Sequence, residues 1–549
     1  MSQPEVAASV VVIGGGPGGS TAATMLARQG HRVVLLERDH FPREHIGESL
    51  LPASIPVLEE LGALPEVQQA GFLQKWGATM IWGKDPSPWS WYFKETNQRY
   101  PHSYQVSRPE FDQILLDNSR KAGVDVREGH RVTQVIFDDG RAVGVRCEST
   151  SGEPTEIVAS FVVDASGQSG LIARQLALRQ WDPFFRNLAV YGYFTGAQRL
   201  PEPDDTNIFI ESYSQGWLWT IPLHTGVASV GAVVDSEIGQ EGIRKLGPQG
   251  FLMDQLSQGT ATAALLRESN LTSRANVVRD WSYVCQQMAG PGYVLVGDAA
   301  CFVDPLFSSG VHLALMSGVL AAALATSAIS DPEMEEAAGQ VYQELYFQEY
   351  NQFRELAKLF YSSNLSSDSY FWEARRLTGK DAAFTARQAF IRVVAGQPPR
   401  GYERAVLERG EAPPEFKSSI GEVEADRAQR QTTLNSFLTP DGIMHPVFYD
   451  AVPFLDQGVE IKRKPVLGQG RFDWGNVLTT SSQPEGTPCS TLVAEIVSLI
   501  DGRTSISGLK AKLQEGRDQS HADIIERTLI TTVHILYVDA TISQLAPPQ

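Results

Sequence analysis

A glycine-rich turn close to the N-terminus constrains the fold of this chain more than any other feature. The turn follows an apolar, β-branched run at residues 10–13, which predicts a buried parallel strand. It contains the pattern G-x-G-x-x-G, formed by Gly14, Gly16 and Gly19. A helical pattern comes next, and a second buried strand at residues 32–36 ends at Glu37. This strand–helix–strand unit of about 30 residues predicts a Rossmann-type α/β domain that binds a dinucleotide.

Each residue of this turn has a physical role in such a site. Gly14 permits the tight turn, Gly16 lets the backbone approach a pyrophosphate, and Gly19 lets helix and strand pack closely. The helix N-terminus offers unpaired N–H groups to the phosphates, and Glu37 can accept hydrogen bonds from an adenosine ribose. We expect the same site to include Pro17, Gly18 and Arg38. A glycine turn without a ligand is the alternative, and the flanking strand, helix and acidic residue disfavour it.

Charge and cysteine usage exclude several classes of protein. The 549-residue chain has 64 acidic and 46 basic residues, and its net charge of −18 argues against binding to nucleic acids or anionic membranes. None of the four cysteines has C-x-x-C spacing, so neither a zinc site nor a redox pair is expected. The N-terminus lacks the basic region of a signal peptide, which favours a cytoplasmic location.

One long uncharged segment raises the question of a transmembrane helix. It runs from Pro305 to Ser330, and its apolar helical part, residues 313–329, is slightly short for a bilayer and rich in Ala and Ser. We therefore predict a helix buried in a globular core, and no transmembrane segment.

The remaining patterns divide the chain into three parts. Residues 1–330 are predicted to form an FAD-binding core of α/β class, interleaved with an antiparallel sheet on the substrate side at about residues 76–105 and 185–275. Residues 331–463 are predicted to be mainly helical. Residues 464–549 are predicted to be a linker, rich in Gly, Pro, Ser and Thr up to residue 490, followed by a small helical module.

Three further segments indicate that the dinucleotide is FAD. They are residues 162–167 (VVDASG), residues 295–300 (LVGDAA), and Arg108 at the start of a helix that continues into Phe111-Asp112. Each resembles a motif of the flavoprotein family that includes p-hydroxybenzoate hydroxylase. The resemblance implies that Asp298 binds a ribityl hydroxyl and that the backbone at Gly310 and Val311 faces the flavin ring. It also places Glu48, Ser49, Arg108 and Val132 in the cofactor site.

A tryptophan-rich strand resembles one branch of that family. Residues 217–222 read Trp-Leu-Trp-Thr-Ile-Pro and match the W-x-W-x-I-P motif of flavin-dependent halogenases. The resemblance implies that Trp217, Trp219 and Pro222 form a barrier between flavin and substrate. A strand whose alternate residues simply face one core is the competing interpretation.

Lys75 is the predicted catalytic residue. It lies among Phe, Trp, Gly and Ala in residues 71–78, downstream of Gly47-Glu48-Ser49, which resembles the family's G-E-S stretch over the flavin. The resemblance to halogenases implies that Lys75 captures hypohalous acid, either as a haloamine or through a hydrogen bond. Desolvation would lower the pKa of this amine and improve it as a nucleophile. A solvated surface lysine is the alternative.

The segment Asp304–His312 resembles the halide-binding region of these enzymes, which implies halide binding at Ser309 and Gly310. Tryptophan halogenases have a glutamate in this stretch where this chain has Phe307. We therefore expect an electron-rich phenol or pyrrole, free or tethered to a carrier protein, and not free tryptophan. Asp280 matches an aspartate that is esterified to the flavin in some relatives, whereas a salt bridge with Arg279 is the alternative.

Together these resemblances imply an FADH2-dependent halogenase of secondary metabolism that uses O2 and chloride or bromide. A separate flavin reductase is expected, because no NAD(P)H-binding domain is evident, and no metal is expected. The chain is expected to be a monomer or a homodimer. An FAD-dependent aromatic hydroxylase is the main alternative, and a polyprenyl reductase with the same FAD motifs is a third.

Overall fold

The computed structural model describes residues 5–83, 87–150, 152–362, 386–396, 429–437, 445–481, 483–517 and 522–546. The chain divides into two compact units. The first contains the residues up to Gly379, together with Ala386–Pro398 and Gln469–Phe472, and the second contains the remainder.

The first unit contains an eight-stranded sheet built around the N-terminal strand. Parallel pairing joins this strand, Glu5–Ile13, to Val33–Leu36 on one side and to Pro154–Asp164 on the other. The sheet continues through these further strands: Asp125–Arg127, His130–Asp138, Arg141–Ser149, Ala289–Gly290 and Tyr293–Leu295. The central valines and leucines are buried, as predicted from their apolar runs. The Rossmann-type α/β class predicted from the sequence is confirmed.

A nine-stranded sheet forms the other layer of the first unit. Its strands, in spatial order, are Cys301–Phe302, Asn276–Cys285, Arg179–Thr195, Val227–Asp235, Gly216–Pro222, Ile208–Tyr213, Gly77–Ile81 and Trp89–Tyr92, with Asn270–Leu271 added beside Arg179–Thr195. Every pair is antiparallel except Ile208–Tyr213 with Gly77–Ile81. The antiparallel substrate-side sheet is therefore present. Strands Leu73–Lys75 and Ser103–Gln105 form a separate antiparallel pair.

The α-helices of the first unit are Pro17–Arg28, Ser54–Glu60, Leu64–Gln69, Arg108–Lys121, Leu171–Gln175, Ser236–Leu256, Thr260–Leu265, Gly310–Ser330, Glu335–Ser362 and Ala386–Val394. Short 3-10 helices occur at Phe93–Glu95, Gly167–Ser169, Gly297–Ala299, Pro305–Phe307 and Pro332–Met334. Helix Gly310–Ser330 is long and apolar enough to span a bilayer by composition, yet most of it is buried within the first unit. Its burial is that of a core helix.

The predicted boundary at residue 330 differs from the observed one. Helix Glu335–Ser362 belongs to the first unit, because tyrosines on one of its faces pack on the first sheet. Tyr342 donates a hydrogen bond to the carbonyl of Leu295 over 2.6 Å, and Tyr346 donates to the carbonyl of Gly297 over 3.1 Å. Residues 363–385 and 397–428 of the predicted helical region lie outside the described residues.

The second unit has its own core. Its helices include Pro446–Asp450, Thr491–Leu499, Ile506–Gln514 and Ala522–Val538, and strands Val452–Leu455 and Ile542–Ala546 pair with each other. Buried side chains of the three longer helices, among them Ile496, Leu509 and Leu529, pack together. The helical module predicted near the C-terminus is present in this form.

The prediction of a linker at residues 464–490 is wrong. This region contains most of a three-stranded sheet, formed by Glu460–Leu467, Phe472–Thr480 and Gln483–Cys489. Glycine and proline are typical of loops, but here they occupy positions within the strands of a sheet. A Cβ at Gly475 would lie 2.7 Å from a methyl carbon of Val466, so glycine permits this close approach. Both prolines of the third strand lie in an edge strand, where a missing N–H is tolerated.

Candidate active site

One cavity of about 680 Å³ joins the two ends of the predicted cofactor site. One end is lined by the glycine turn, Glu37, Arg38 and Val132, and the other by Asp298 and residues 308–311. Glu48, Ser49 and Arg108 line the same cavity. One cavity thus brings together the segments that were predicted to bind the cofactor.

Two of the three motif glycines, Gly14 and Gly19, leave no room for a side chain. Gly14 has φ +99°, and a Cβ there would lie 2.4 Å from the carbonyl oxygen of Ala165. A Cβ at Gly19 would lie 2.0 Å from the carbonyl oxygen of Gly14, and Gly19 does not line the cavity. Gly19 therefore serves helix–strand packing, as predicted. Gly16 is the N-cap of helix Pro17–Arg28, so Pro17 stands at the first helical position, where its missing N–H costs nothing.

Glu37 is held in place by backbone donors. Its carboxylate accepts hydrogen bonds from the N–H of Gly15 over 2.7 Å and from the N–H of Asp39 over 2.9 Å. Arg38 is exposed and donates to Ser169 over 3.4 Å. The cavity therefore presents a carboxylate that two backbone donors hold in place.

Arg108 connects the helix Arg108–Lys121 to the loop that carries Glu48. Its guanidinium binds the Asp112 carboxylate with two hydrogen bonds of 2.8 and 2.9 Å, and it also donates to the carbonyls of Ile46 and Gly47. The pair is almost fully buried. Arg108 therefore positions the loop that carries Glu48 and Ser49.

Two buried polar atoms on that loop lack partners among the described residues: Oε2 of Glu48 and Oγ of Ser49. Burial raises the pKa of Glu48 to about 7, against the opposing effects of the Ser229 and Tyr193 hydroxyls and of Arg108. A buried polar atom without a partner is costly, and both residues line the cavity. The residues present therefore fit a polar cofactor that would satisfy them.

Asp298 and the N-terminus of helix Gly310–Ser330 lie at the other end of the cavity. Burial raises the pKa of Asp298 to about 6, while Arg108 and Arg179 lower it. The first N–H groups of a helix have no intrahelical partners, and the helix dipole favours negative charge there. The backbone at Gly310 and Val311 therefore presents N–H groups that favour negative charge, and both residues line the cavity.

The two indoles of the tryptophan-rich strand line the cavity, and we call Trp217 and Trp219 the indole barrier. Their ring centroids are 6.1 Å apart. Space for Trp219 depends on Gly231 of the neighbouring strand, where a Cβ would lie 2.4 Å from the indole. Pro222 is not part of the barrier lining: it borders a separate small cavity, because successive residues of a strand face opposite sides.

Lys75 is buried, with 2% of its surface exposed. Its Nζ donates to the carbonyl of Leu50 over 3.1 Å and lies 5.5 Å from the centroid of the Phe93 ring. Desolvation lowers the pKa of this amine to about 7, so a large fraction is neutral at neutral pH. Lys75 is absent from the lining of the main cavity. The indole barrier and the lysine are therefore separate features of the site.

The loop preceding helix Gly310–Ser330 is tightly shaped. Asp304 accepts a hydrogen bond from the N–H of Leu306 and so caps the 3-10 helix Pro305–Phe307. Ser308 adopts a left-handed conformation at φ 57°, and Ser309 is buried at the N-cap of the long helix. Phe307 is buried against the rings of Phe360 and Phe390, at centroid distances of 5.1 and 6.2 Å.

Asp280 lies in strand Asn276–Cys285, opposite Asn187. Its side chain lies outside the described part of the structure, so the predicted flavin link and the alternative salt bridge both remain predictions.

A hydrogen-bond network that no sequence motif indicates lies behind the indole barrier. Tyr361, near the end of helix Glu335–Ser362, accepts a hydrogen bond from Nε1 of Trp217 over 2.6 Å and donates one to Asp304 over 3.0 Å. Asn187 also donates to Asp304. Tyr361 and Asn187 belong to no motif and lie far from Trp217 and Asp304 or from each other in the sequence, so only the fold could bring the four residues together.

Known proteins match most of the chain. Residues 9–102 and 92–397 match the family model described as tryptophan halogenase. A tryptophan 2-halogenase of Chondromyces crocatus is 38% identical over 394 residues, covering 70% of this chain and 74% of that protein. The solved structure of a myxobacterial chondrochloren halogenase is 39% identical, with a TM-score of 0.63, and covers 75% of this chain and 95% of that one. The flavin-dependent halogenase CmlS covers 96% of each chain at 29% identity and a TM-score of 0.69.

Proposed function

Because this chain belongs to the tryptophan halogenase family of flavin-dependent, FAD-using enzymes, we propose that it halogenates an electron-rich phenol or pyrrole. Reduced FAD, when bound, would supply two of the four electrons that dioxygen accepts, and chloride or bromide supplies the other two as it is oxidised to hypohalous acid. In this family a separate flavin reductase provides the reduced cofactor, and the substrate is aromatic. The chain's own residues bind the cofactor, hold the halide, separate the cofactor from the substrate and deliver the halogen.

Cofactor binding and halide binding use mainly backbone groups. In the proposal, the glycine turn and the N-terminus of helix Pro17–Arg28 bind the pyrophosphate, and Asp298 accepts a hydrogen bond from the ribityl chain. Backbone N–H groups at Ser309 and Gly310 hold the halide beside the flavin ring. The indole barrier lines the cofactor cavity and keeps an organic substrate away from it.

Lys75 receives the hypohalous acid in this mechanism. The observation that carries the proposal is a lysine that is buried, has a pKa of about 7 and lies outside the lining of the cofactor cavity. Its neutral amine can form a haloamine with release of water, or hold the acid by a hydrogen bond and polarise it. Either path delivers an electrophilic halogen to the ring carbon, whose proton is lost.

Phe307 supports a self-activated ring as substrate. A carboxylate close to an indole would stabilise the positive charge that develops during its halogenation, whereas Phe307 contributes a buried phenyl ring packed on two others. Phenols and pyrroles stabilise that charge themselves. The similarity to the Chondromyces tryptophan 2-halogenase makes tryptophan the second candidate.

Further features of the proposal extend beyond the site. The substrate is either free or tethered to a carrier protein, and the product belongs to secondary metabolism. The protein acts in the cytoplasm as a monomer or a homodimer. The burial of helix Gly310–Ser330 supports a role away from the membrane.

The test supplies the protein with FAD, a flavin reductase, NADH, air and either chloride or bromide. The substrates are tryptophan and a panel of phenols and pyrroles, each free and carrier-tethered, and product mass is measured. A halogen isotope pattern on a phenol or pyrrole is expected. Halogenated tryptophan alone would contradict the substrate assignment, and addition of one oxygen independent of halide would indicate a hydroxylase.

A further inference from the structure

A buried hydrogen-bond network joins the indole barrier to the loop that precedes the candidate halide site. The network begins at Nε1 of Trp217, which donates to the hydroxyl of Tyr361 over 2.6 Å. Tyr361 donates to Oδ2 of Asp304 over 3.0 Å. Nδ2 of Asn187 lies 3.2 Å from Oδ2 of Asp304 and 3.2 Å from the hydroxyl oxygen of Tyr361, and it donates to each. One helix, through Tyr361, and one strand, through Asn187, thus donate directly to the Asp304 carboxylate, and the strand of Trp217 joins them through the Tyr361 hydroxyl.

The direction of these hydrogen bonds follows from the chemistry of the groups. An indole N–H can only donate, so the Tyr361 hydroxyl must accept from Trp217, which leaves its own hydrogen for Asp304. Asp304 also accepts the N–H of Leu306 on its other oxygen, over 2.9 Å. Three donors converge on the carboxylate, which therefore acts as an acceptor. Burial raises the pKa of Asp304 to about 6, which leaves most of it ionised at neutral pH.

Asp304 has two structural roles at once. It caps the 3-10 helix Pro305–Phe307, which leads directly into Ser309 and Gly310. Through Tyr361 it also fixes the indole of Trp217. Both Asp304 and Trp217 line the cofactor cavity, whereas Tyr361 supports them from helix Glu335–Ser362. A change at Tyr361 therefore reaches the barrier without removing a residue from the cavity lining.

We propose that Tyr361 and Asp304 are positioning residues that hold the Trp217 indole in a fixed relation to the halide-binding loop. By holding that relation they determine what fraction of the hypohalous acid reaches the substrate and what fraction escapes into solvent. This inference rests on the proposed function, since it assigns residues that set the efficiency of the halogenation step.

The principal variant is Tyr361→Phe, which removes the hydroxyl and keeps the ring. The control is Tyr213→Phe, because Tyr213 also donates a hydrogen bond to a side chain, Gln255, and does not line the cavity. Asp304→Asn is the second variant, in which the amide presents N–H groups to donors that need an acceptor. FAD affinity, halogenated product, and hypohalous acid trapped by added methionine are measured for each protein.

For Tyr361→Phe we expect FAD affinity and total hypohalous acid within about twofold of the wild type. The product formed per hypohalous acid should fall about tenfold, because small displacements in a site have effects of this order. Asp304→Asn should show the same loss of product together with a higher halide KM. The Tyr213→Phe control should match the wild type in every measurement.

A second readout does not depend on turnover. Protein containing 5-fluorotryptophan gives a fluorine resonance for Trp217, assigned with Trp217→Phe, and this resonance should shift or broaden in Tyr361→Phe. An unchanged resonance with unchanged product per hypohalous acid would overturn the inference, as would an equal loss of FAD affinity and product. If the wild type forms no hypohalous acid, the proposed function fails, and the fluorine spectra alone decide whether Tyr361 positions the indole.

Discussion

The cofactor cavity and the surroundings of Lys75 differ in the groups that form them. The lining of the cavity includes a glycine-rich turn and the N-termini of two helices, and Oε2 of Glu48 and Oγ of Ser49 there have no partner among the described residues. Lys75 instead lies in close-packed surroundings, 5.5 Å from the Phe93 ring, with the carbonyl of Leu50 as its hydrogen-bond acceptor. Cofactor binding therefore depends on backbone shape, whereas the proposed halogen transfer depends on a single desolvated side chain.

This difference can be tested by changing one region at a time. In the proposed mechanism, a change at Lys75 should spare the cofactor, and a change in the glycine turn should act through it. A change at Tyr361, behind the indole barrier, should alter how much of the hypohalous acid reaches the substrate.

The largest effect is expected for Lys75→Ala. Halogenated product should fall by roughly 100-fold or more, because the only group proposed to deliver the halogen is lost. FAD binding and trapped hypohalous acid should persist. Lys94→Ala is the control, since Lys94 is exposed in the same part of the chain. Full activity of Lys75→Ala would refute the role of the lysine.

The next effect is expected for Gly14→Ala. The new Cβ would meet the Ala165 carbonyl oxygen at 2.4 Å in a backbone of φ +99°, so the turn must shift. FAD affinity, measured by flavin fluorescence, should weaken about tenfold. Gly30→Ala separates backbone strain from the clash, because Gly30 has φ +87° and nothing within 4 Å of its Cβ position. Equal FAD affinity in the two variants would argue against a cofactor-specific role for the turn.

A smaller effect is expected for Gly231→Ala. Its Cβ would displace the indole of Trp219, which lies 2.4 Å from that position. Product per hypohalous acid should fall about threefold while FAD affinity changes little. Gly192→Ala lies in the same sheet but would meet Leu271 instead of an indole, so it controls for sheet strain. A loss of equal size in both variants would show that the barrier is not involved.

The smallest expected effect is on stability and needs no substrate. Burial lowers the pKa of Lys75 from 10.5 to about 7, so between these values the unfolded chain binds more protons than the folded one. The contribution of Lys75 to the free energy of unfolding therefore rises with pH in that window, by roughly 2 kcal/mol from pH 7 to pH 9. Lys75→Met should lack this rise and be the more stable protein at pH 7. Parallel unfolding curves for both proteins at the two pH values would mean that Lys75 is not desolvated.

The sequence by itself determined the α/β class, the glycine turn with its flanking strands, and the antiparallel sheet that carries the two indoles. These features are local: each depends on the period of apolar residues or on glycines within a few positions, which short-range sterics constrain. The same local signals failed at residues 464–490, where glycine and proline belong to a sheet. The resemblance to halogenases also placed Pro222 with the indoles, although the period of a strand turns it to the other face.

Only the tertiary structure decided which side chains meet. Lys75 is desolvated because Leu50 and Phe93 pack around it, and no property of its own segment could establish that burial. Tyr361 reaches Trp217 because helix Glu335–Ser362 packs within the first unit instead of a separate domain. The contact of Trp217 with Tyr361 joins residues 144 positions apart, and those of Lys75 join separate segments of the chain. The energy of all these contacts comes from burial that exists only once the chain has folded.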